Sequence, residues 1–247
     1  MNIFRVALLS FFLVASIGCA GTMQTARTNG TGNFQFGVEP GATILSSSEG
    51  SITAPSFNLA GRYGITDTID LGARIGTALY EIQSKFMLTD PNDQSGIAMS
   101  IAPSFTAIGA GTGDGGSFYL GTKIPFLIGI PVGDSELTIA PRLSPSFITA
   151  GSGDSDVTGF ILSGGGSVGF AARLGDTFWI LPEISVEIPF VGGATASSGD
   201  SSSSEASAGF GGSIINIGVG LLFGGRPAYN GTNVMPPATN TGGTVIP

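Results

Sequence analysis

Glu39, Asp70, Glu183 and Glu187 are the carboxylates best placed to act together, alongside six basic residues, Arg62, Arg74, Lys85, Lys123, Arg142 and Arg173. Glu183 and Glu187 stand four residues apart, and paired carboxylates can share acid–base work. The chain contains no His, however. This removes the commonest general base, the commonest metal ligand and every Ser-His or Cys-His arrangement. Ion pairing of Glu183 and Glu187 with Arg142 or Arg173 is therefore expected, with no catalytic residue and no enzyme activity. Gly164-Gly165-Gly166-Ser167-Val168-Gly169 has GxGxxG spacing, but a dinucleotide site needs a strand before the run and a helix after it. Alternation continues here through Phe170 and Leu174, so no cofactor is expected. Asp114, Asp154, Asp156, Asp200 and Glu205 offer the oxygen chemistry that Ca²⁺ favours. They lack EF-hand spacing, so solvated loop charge is expected and no metal.

These charges must be held by elements, and composition narrows which ones. Charged residues make up 11% of 247 residues, Gly numbers 41, and the mean hydropathy is +0.38. That charge content is far below the soluble norm of about 25%. The net charge is −8 and the basic residues are scattered, so no nucleic-acid partner is expected. The single cysteine, Cys19, excludes a disulfide within the chain.

Residues 1–21 read MNIFRVALLSFFLVASIGCAG: a basic n-region at Arg5, an apolar run, then small residues. This is the pattern of a signal peptide, assigned to 1–19, and the apolar run is too short for a membrane helix. Ser16-Ile17-Gly18-Cys19 resembles a bacterial lipoprotein signal, departing from it at Ser16 where Leu is usual. The resemblance implies acylation of Cys19. Ordinary cleavage after Ala20, with Gly18 and Ala20 as the small pair, is the alternative. Residues 20–31 are expected to form a periplasmic lead.

From there, period-two alternation recurs to residue 223. Strands are expected near 32–44, 53–64, 68–76, 80–89, 96–107, 117–129, 136–149, 158–174, 177–191 and 208–223. One face of each is rich in Phe, Ile and Leu and free of charge; the other is mostly Gly, Ala and Ser with single charges. A soluble sandwich would carry Lys, Glu and Thr outside; this sorting instead predicts an apolar-out, polar-in barrel. The six basic residues all fall on the polar face, where a Lys or Arg escapes the cost of about 2–4 kcal/mol at the bilayer midplane. The fold class expected is all-β: a closed antiparallel transmembrane β-barrel of about ten strands over 32–223. Glu39, Arg62, Asp70, Arg74, Lys85, Lys123, Arg142, Arg173, Glu183 and Glu187 are its expected lumen-facing charges. They would form either an ion-paired filling or a small conduit. A soluble secreted β-sandwich or solenoid is the competing fold.

Short turns are expected at 65–67, 90–95, 131–135 and 175–176, and longer external loops at 45–51, 77–80, 108–116, 150–157 and 192–207. Pro103, Pro141, Pro145 and Pro182 fall inside proposed strands, where a closed barrel offers no free edge to hold them. Bulges or strand ends are expected there. RYGITDTIDLGARIG (62–76) resembles the strand–turn–strand repeat of bacterial outer-membrane barrels. IINIGVGLLF resembles their terminal assembly signal, with Phe223 as its aromatic. The tail, 224–247, is rich in Pro, Gly, Asn and Thr and expected to be disordered. The resemblance implies a Gram-negative outer-membrane location, with outer-membrane lipid and the assembly machinery as partners. A structural or passive small-pore role follows, or else a surface-interaction role through loops 108–116, 150–157 and 192–207.

Overall fold

A computed structural model of the chain describes residues 21–47, 50–76, 79–93, 95–112, 115–152, 155–198, 204–207 and 212–225. The acylation reading at Cys19 and the tail from residue 226 onward lie outside the described residues. The strands are β1 (Phe34–Ser47), β2 (Gly50–Gly64), β3 (Ile69–Gly76), β4 (Leu79–Met87), β5 (Ala98–Ile101), β6 (Ser104–Thr112), β7 (Gly115–Val132), β8 (Ser135–Ser152), β9 (Ser155–Arg173), β10 (Phe178–Ser198), β11 (Ser204–Ser207) and β12 (Gly212–Gly224).

All neighbours pair antiparallel, and β1 pairs with both β2 and β12, closing the sheet on itself. β5 and β6 are two halves of one stave, each lying between β4 and β7. β11 is a four-residue flap on the far end of β10. The result is a closed up-and-down barrel of ten staves.

Alternation carries the fold. From Leu181 to Phe190 on β10, residues are buried and exposed in strict turn. Leu181, Glu183, Ser185 and Glu187 face in, while Ile184, Val186, Ile188 and Phe190 face out and are 40–52% exposed. Ile180 and Phe190 lie ten residue steps apart on β10. At about 3.3 Å per residue and about 40° of tilt, these span about 25 Å, the height of the apolar band of outer-membrane barrels, about 25 Å. Phe178 and Phe223 stack at 4.9 Å on the short-turn end of the band. Phe147 and Phe160, paired across β8 and β9, stand near the other end. So much exposed Phe, Ile and Leu is compatible with lipid, not with water.

The interior prolines are accommodated by interrupting one ladder and keeping the other. β8 pairs continuously with β9 through Pro141 and Pro145, while its register with β7 skips both. Pro182 is paired to β12 but skipped opposite β9. Pro103 falls in the break between β5 and β6, where its carbonyl accepts from Ser84 N–H at 3.0 Å. The β7–β8 hairpin turns on Gly133, whose φ of 61° is one that glycine adopts freely.

Two expectations need correction. Residues 45–47, 50–51, 79–80, 108–112, 115–116, 150–152, 155–157, 192–198 and 204–207, assigned to loops, are strand. Gly, Ser and Asp read as turn formers there, and period-two alternation fades where a hairpin has no apolar face to show. The supposed periplasmic lead, 20–31, does not lie outside over residues 21–30, while Thr31 is exposed beside Asp67. Thr22, Met23, Gln24, Ala26, Thr28 and Asn29 are buried within the barrel.

Candidate functional site

The lumen is polar and full. Cross-strand register builds its ion pairs directly. Asp70 on β3 sits opposite Lys85 on β4, and Arg74 opposite Glu81. Lys85 Nζ lies 3.2 Å from Asp70 Oδ2, and Arg74 Nη1 lies 3.1 Å from Glu81 Oε1. Glu39 of β1 receives Arg62 at 3.1 Å and Arg74 at 2.9 Å, and Lys123 stands 3.6 Å from Glu81.

One pair needs a glycine between its partners. Arg142 on β8 and Glu187 on β10 both register against Gly165 on β9. With no side chain at Gly165, they reach across that strand to 3.1 Å. A methyl group there would also run into the Val186 carbonyl oxygen. The GxGxxG run is thus the middle of β9, with strand on both sides.

Buried charges are tolerable only when paired and hydrogen-bonded, and three carboxylates, the paired Asp70 among them, also grip the main chain of the N-terminal segment. Glu183 accepts Thr22 N–H at 2.5 Å and Met23 N–H at 2.8 Å. Glu136 accepts Ala26 N–H at 2.6 Å, and Asp70 accepts Asn29 N–H at 3.0 Å. Successive N–H groups converging on one anion form a nest, and Met23 adopts φ 45° to make it. Cations take the carbonyls: Arg74 donates to Gly21 O and Thr22 O at 3.2 and 2.8 Å, and Lys85 to Thr25 O and Arg27 O at 3.2 and 2.7 Å.

At the short-turn rim, Arg27 reaches Glu136 at 3.6 Å and donates to Asp93 O and Gly96 O at 2.8 and 2.6 Å. Hydrogen bonds from the Ser95 hydroxyl and the Gly96 N–H hold the Asp93 carboxyl below its ordinary range. Ala26 packs with Met87, Ala98, Ala102, Leu127 and Ala140 in a small apolar collar. Beside the plug, a cavity of about 10 Å³ is lined by Gln24, Arg74, Glu81, Gln83, Lys123 and Arg142 among others. That is room for about one water molecule, far below the about 300–1,000 Å³ of small-molecule sites.

Nine of the ten charges named from the sequence, Glu39, Arg62, Asp70, Arg74, Lys85, Lys123, Arg142, Glu183 and Glu187, are buried in this network. Arg173 is not. It has inward parity but sits at the last residue of β9, where it donates to Gly175 O and Asp176 O and lies 5.1 Å over the Trp179 ring. Glu187 takes Arg142, but Glu183 pairs with neither Arg142 nor Arg173 and binds main-chain N–H groups instead. Glu81 and Glu136 were missed, although both are in phase with inward neighbours: Gln83 and Lys85, and Thr138 and Arg142. Phe223 is outward at the β12 terminus. Asp114, Asp154 and Asp200 lie outside the described residues, while Asp156 and Glu205 fall in β9 and β11.

No protein-family profile matches the chain, and no curated protein matches its sequence. Solved structures do resemble it. The outer membrane protease OmpT from Escherichia coli shares 10% identity, with 78% of this chain and 95% of that one covered and a TM-score of 0.44. OprG, an outer membrane protein of Pseudomonas aeruginosa, shares 9%, covering 79% and 99%, with a TM-score of 0.39. Neisserial surface protein A shares 12%, covering 77% and 96%, with a TM-score of 0.35. Likeness at this distance leaves function to be read from the chain's own residues.

Proposed function

We propose that this chain is an integral barrel of the bacterial outer membrane, stoppered by its own N-terminal segment, that serves as a closed structural scaffold rather than an open passive pore. The observation that carries this is the plug: main-chain N–H groups of residues 22, 23, 26 and 29 are held by carboxylates of the barrel wall. An open conduit would leave those carboxylates to water. The apolar band about 25 Å high supports the membrane location.

Conductance in planar bilayers tests the reading. The full chain should give no steady current, and a variant lacking residues 21–31 should give one. Steady current through the full chain would overturn the closed scaffold.

A second reading draws on one further observation. β7 to β10 run 18 to 21 residues, against 8 to 15 in β1 to β4. At about 3.3 Å per residue and about 40° of tilt, a 19-residue strand is about 48 Å tall, so its far end stands well clear of the band. Those hairpins offer a surface on which a partner could dock. Binding to cells or envelope proteins, lost when β9–β10 is shortened without loss of the barrel, would support it.

A further inference from the structure

We infer that the mature protein begins at Gly21, cut from its signal peptide between Ala20 and Gly21, and that its new α-ammonium sits inside the barrel beside Glu183. The inference rests on the stoppered-barrel reading.

Three observations meet at this residue. The first is depth. Glu183, which holds Thr22 and Met23, is the sixth residue of β10. Five steps at about 3.3 Å and about 40° of tilt place it about 13 Å from the end of β10, and three steps, about 8 Å, inside the apolar band that begins at Ile180. Cys19 is two residue steps from Gly21 in the sequence, and two steps span at most about 7 Å. A lipid anchor that close to Gly21 would have to reach a leaflet from this depth, against the hold of Glu183 and Arg74 on residues 21–23.

The second is the chemistry at Glu183. Glu39, Asp70, Glu81, Glu136 and Glu187 each have a cationic side chain within 4.0 Å. Among the described residues Glu183 has none and is met by the N–H groups of Thr22 and Met23. Gly21 lies so close that a methyl group on it would run into Glu183 Oε1. An ammonium at Gly21 N would add a cation to a nest that already faces this carboxylate.

The third is the sequence. Gly18 and Ala20 are the small residues that a signal peptidase accepts at the third and first positions before its cut. Water hydrolyses the Ala20–Gly21 amide. Its oxygen goes to the Ala20 carboxylate, and the amide nitrogen leaves as the Gly21 ammonium. Cys19 departs with the signal peptide.

The test is to express the full chain in a Gram-negative host, purify it from outer membranes, and read its N-terminus by sequencing and intact mass. The expected start is Gly21-Thr22-Met23-Gln24 with no label from radioactive palmitate, and Cys19→Ser should leave processing and location unchanged. An acylated Cys19 at the N-terminus, or a start at any other residue, would overturn the inference. Conductance is read independently, so a closed full-chain barrel beginning at acylated Cys19 would sink this inference and spare the scaffold reading.

Discussion

Replacing Glu183 by Ala should loosen the plug without opening the barrel wall. The carboxylate accepts two main-chain N–H groups, at 2.5 and 2.8 Å. Hydrogen bonds to a charged group are each worth about 1.5–3 kcal/mol, so the clasp is worth about 3–6 kcal/mol before offsets. Its loss lets Met23 leave its φ of 45°, returning about 1–3 kcal/mol of backbone strain. A net loss of about 2–3 kcal/mol corresponds to about a 30- to 150-fold shift between seated and unseated plug. Hydrogen exchange with mass spectrometry, on protein in detergent micelles, reads this directly. Peptides covering residues 21–29 should exchange faster by about that factor, while β10 and β12 peptides stay protected. An unchanged rate at residues 21–29 would refute the clasp. Equal acceleration in β10 and β12 would mean that Glu183 supports the barrel rather than the plug.

Arg74→Met removes the cation shared by Glu39 and Glu81 and the donor to two plug carbonyls. Breaking a buried pair costs about 3–5 kcal/mol, and Arg62 and Lys123 remain near the two carboxylates, so a figure near 3 is expected. Urea titration of the heat-modifiable gel band should show the midpoint falling by about 1–2 M, at a slope of about 2 kcal/mol/M. Ile184→Arg puts a charge on the lipid face at mid-band and should cost about 2–4 kcal/mol; a midpoint equal to that of the unaltered protein would count against the membrane orientation. Asp93, whose carboxyl is held below its usual value of 3.8 by Ser95 and Gly96, shapes the turn that receives Arg27. Its lowered value means that its contribution is complete above the ordinary Asp range and fades only as pH falls through the folded value. Exchange protection at Arg27 should therefore hold between pH 7 and 5 in the native protein, and a fall within that window would contradict the assignment.

The barrel was legible because lipid and lumen impose opposite chemistry on alternate residues. Ile69, Leu71 and Ile75 against Asp70 and Arg74 show both the strand and its orientation. The same parity would have found Glu81 and Glu136. It misled at Arg173, because parity says nothing of where the lumen ends. The far hairpins were misread because Gly, Ser and Asp on both faces of a strand look like a loop. Gly165 could not be understood without the register that sets it between Arg142 and Glu187. The plug left the weakest trace, since the barrel grips it through main-chain N–H and C=O groups at 21, 22, 23, 25, 26, 27 and 29. Every sequence carries those groups, so no side-chain pattern announces them.

Whether residues 21–29 occupy the lumen of a closed barrel can be tested by a designed disulfide. Thr22 Oγ1 and Ser167 Oγ lie 2.8 Å apart, plug against wall. Thr22→Cys with Ser167→Cys, in a Cys19→Ser background that leaves no other thiol, should give a quantitative disulfide in protein taken from outer membranes under oxidising conditions. It would resist alkylation until reduced, and each single variant would stay free. Complete alkylation of both thiols in the double variant, with the barrel folded by its gel shift, would place the N-terminal segment outside the lumen and contradict the stoppered barrel.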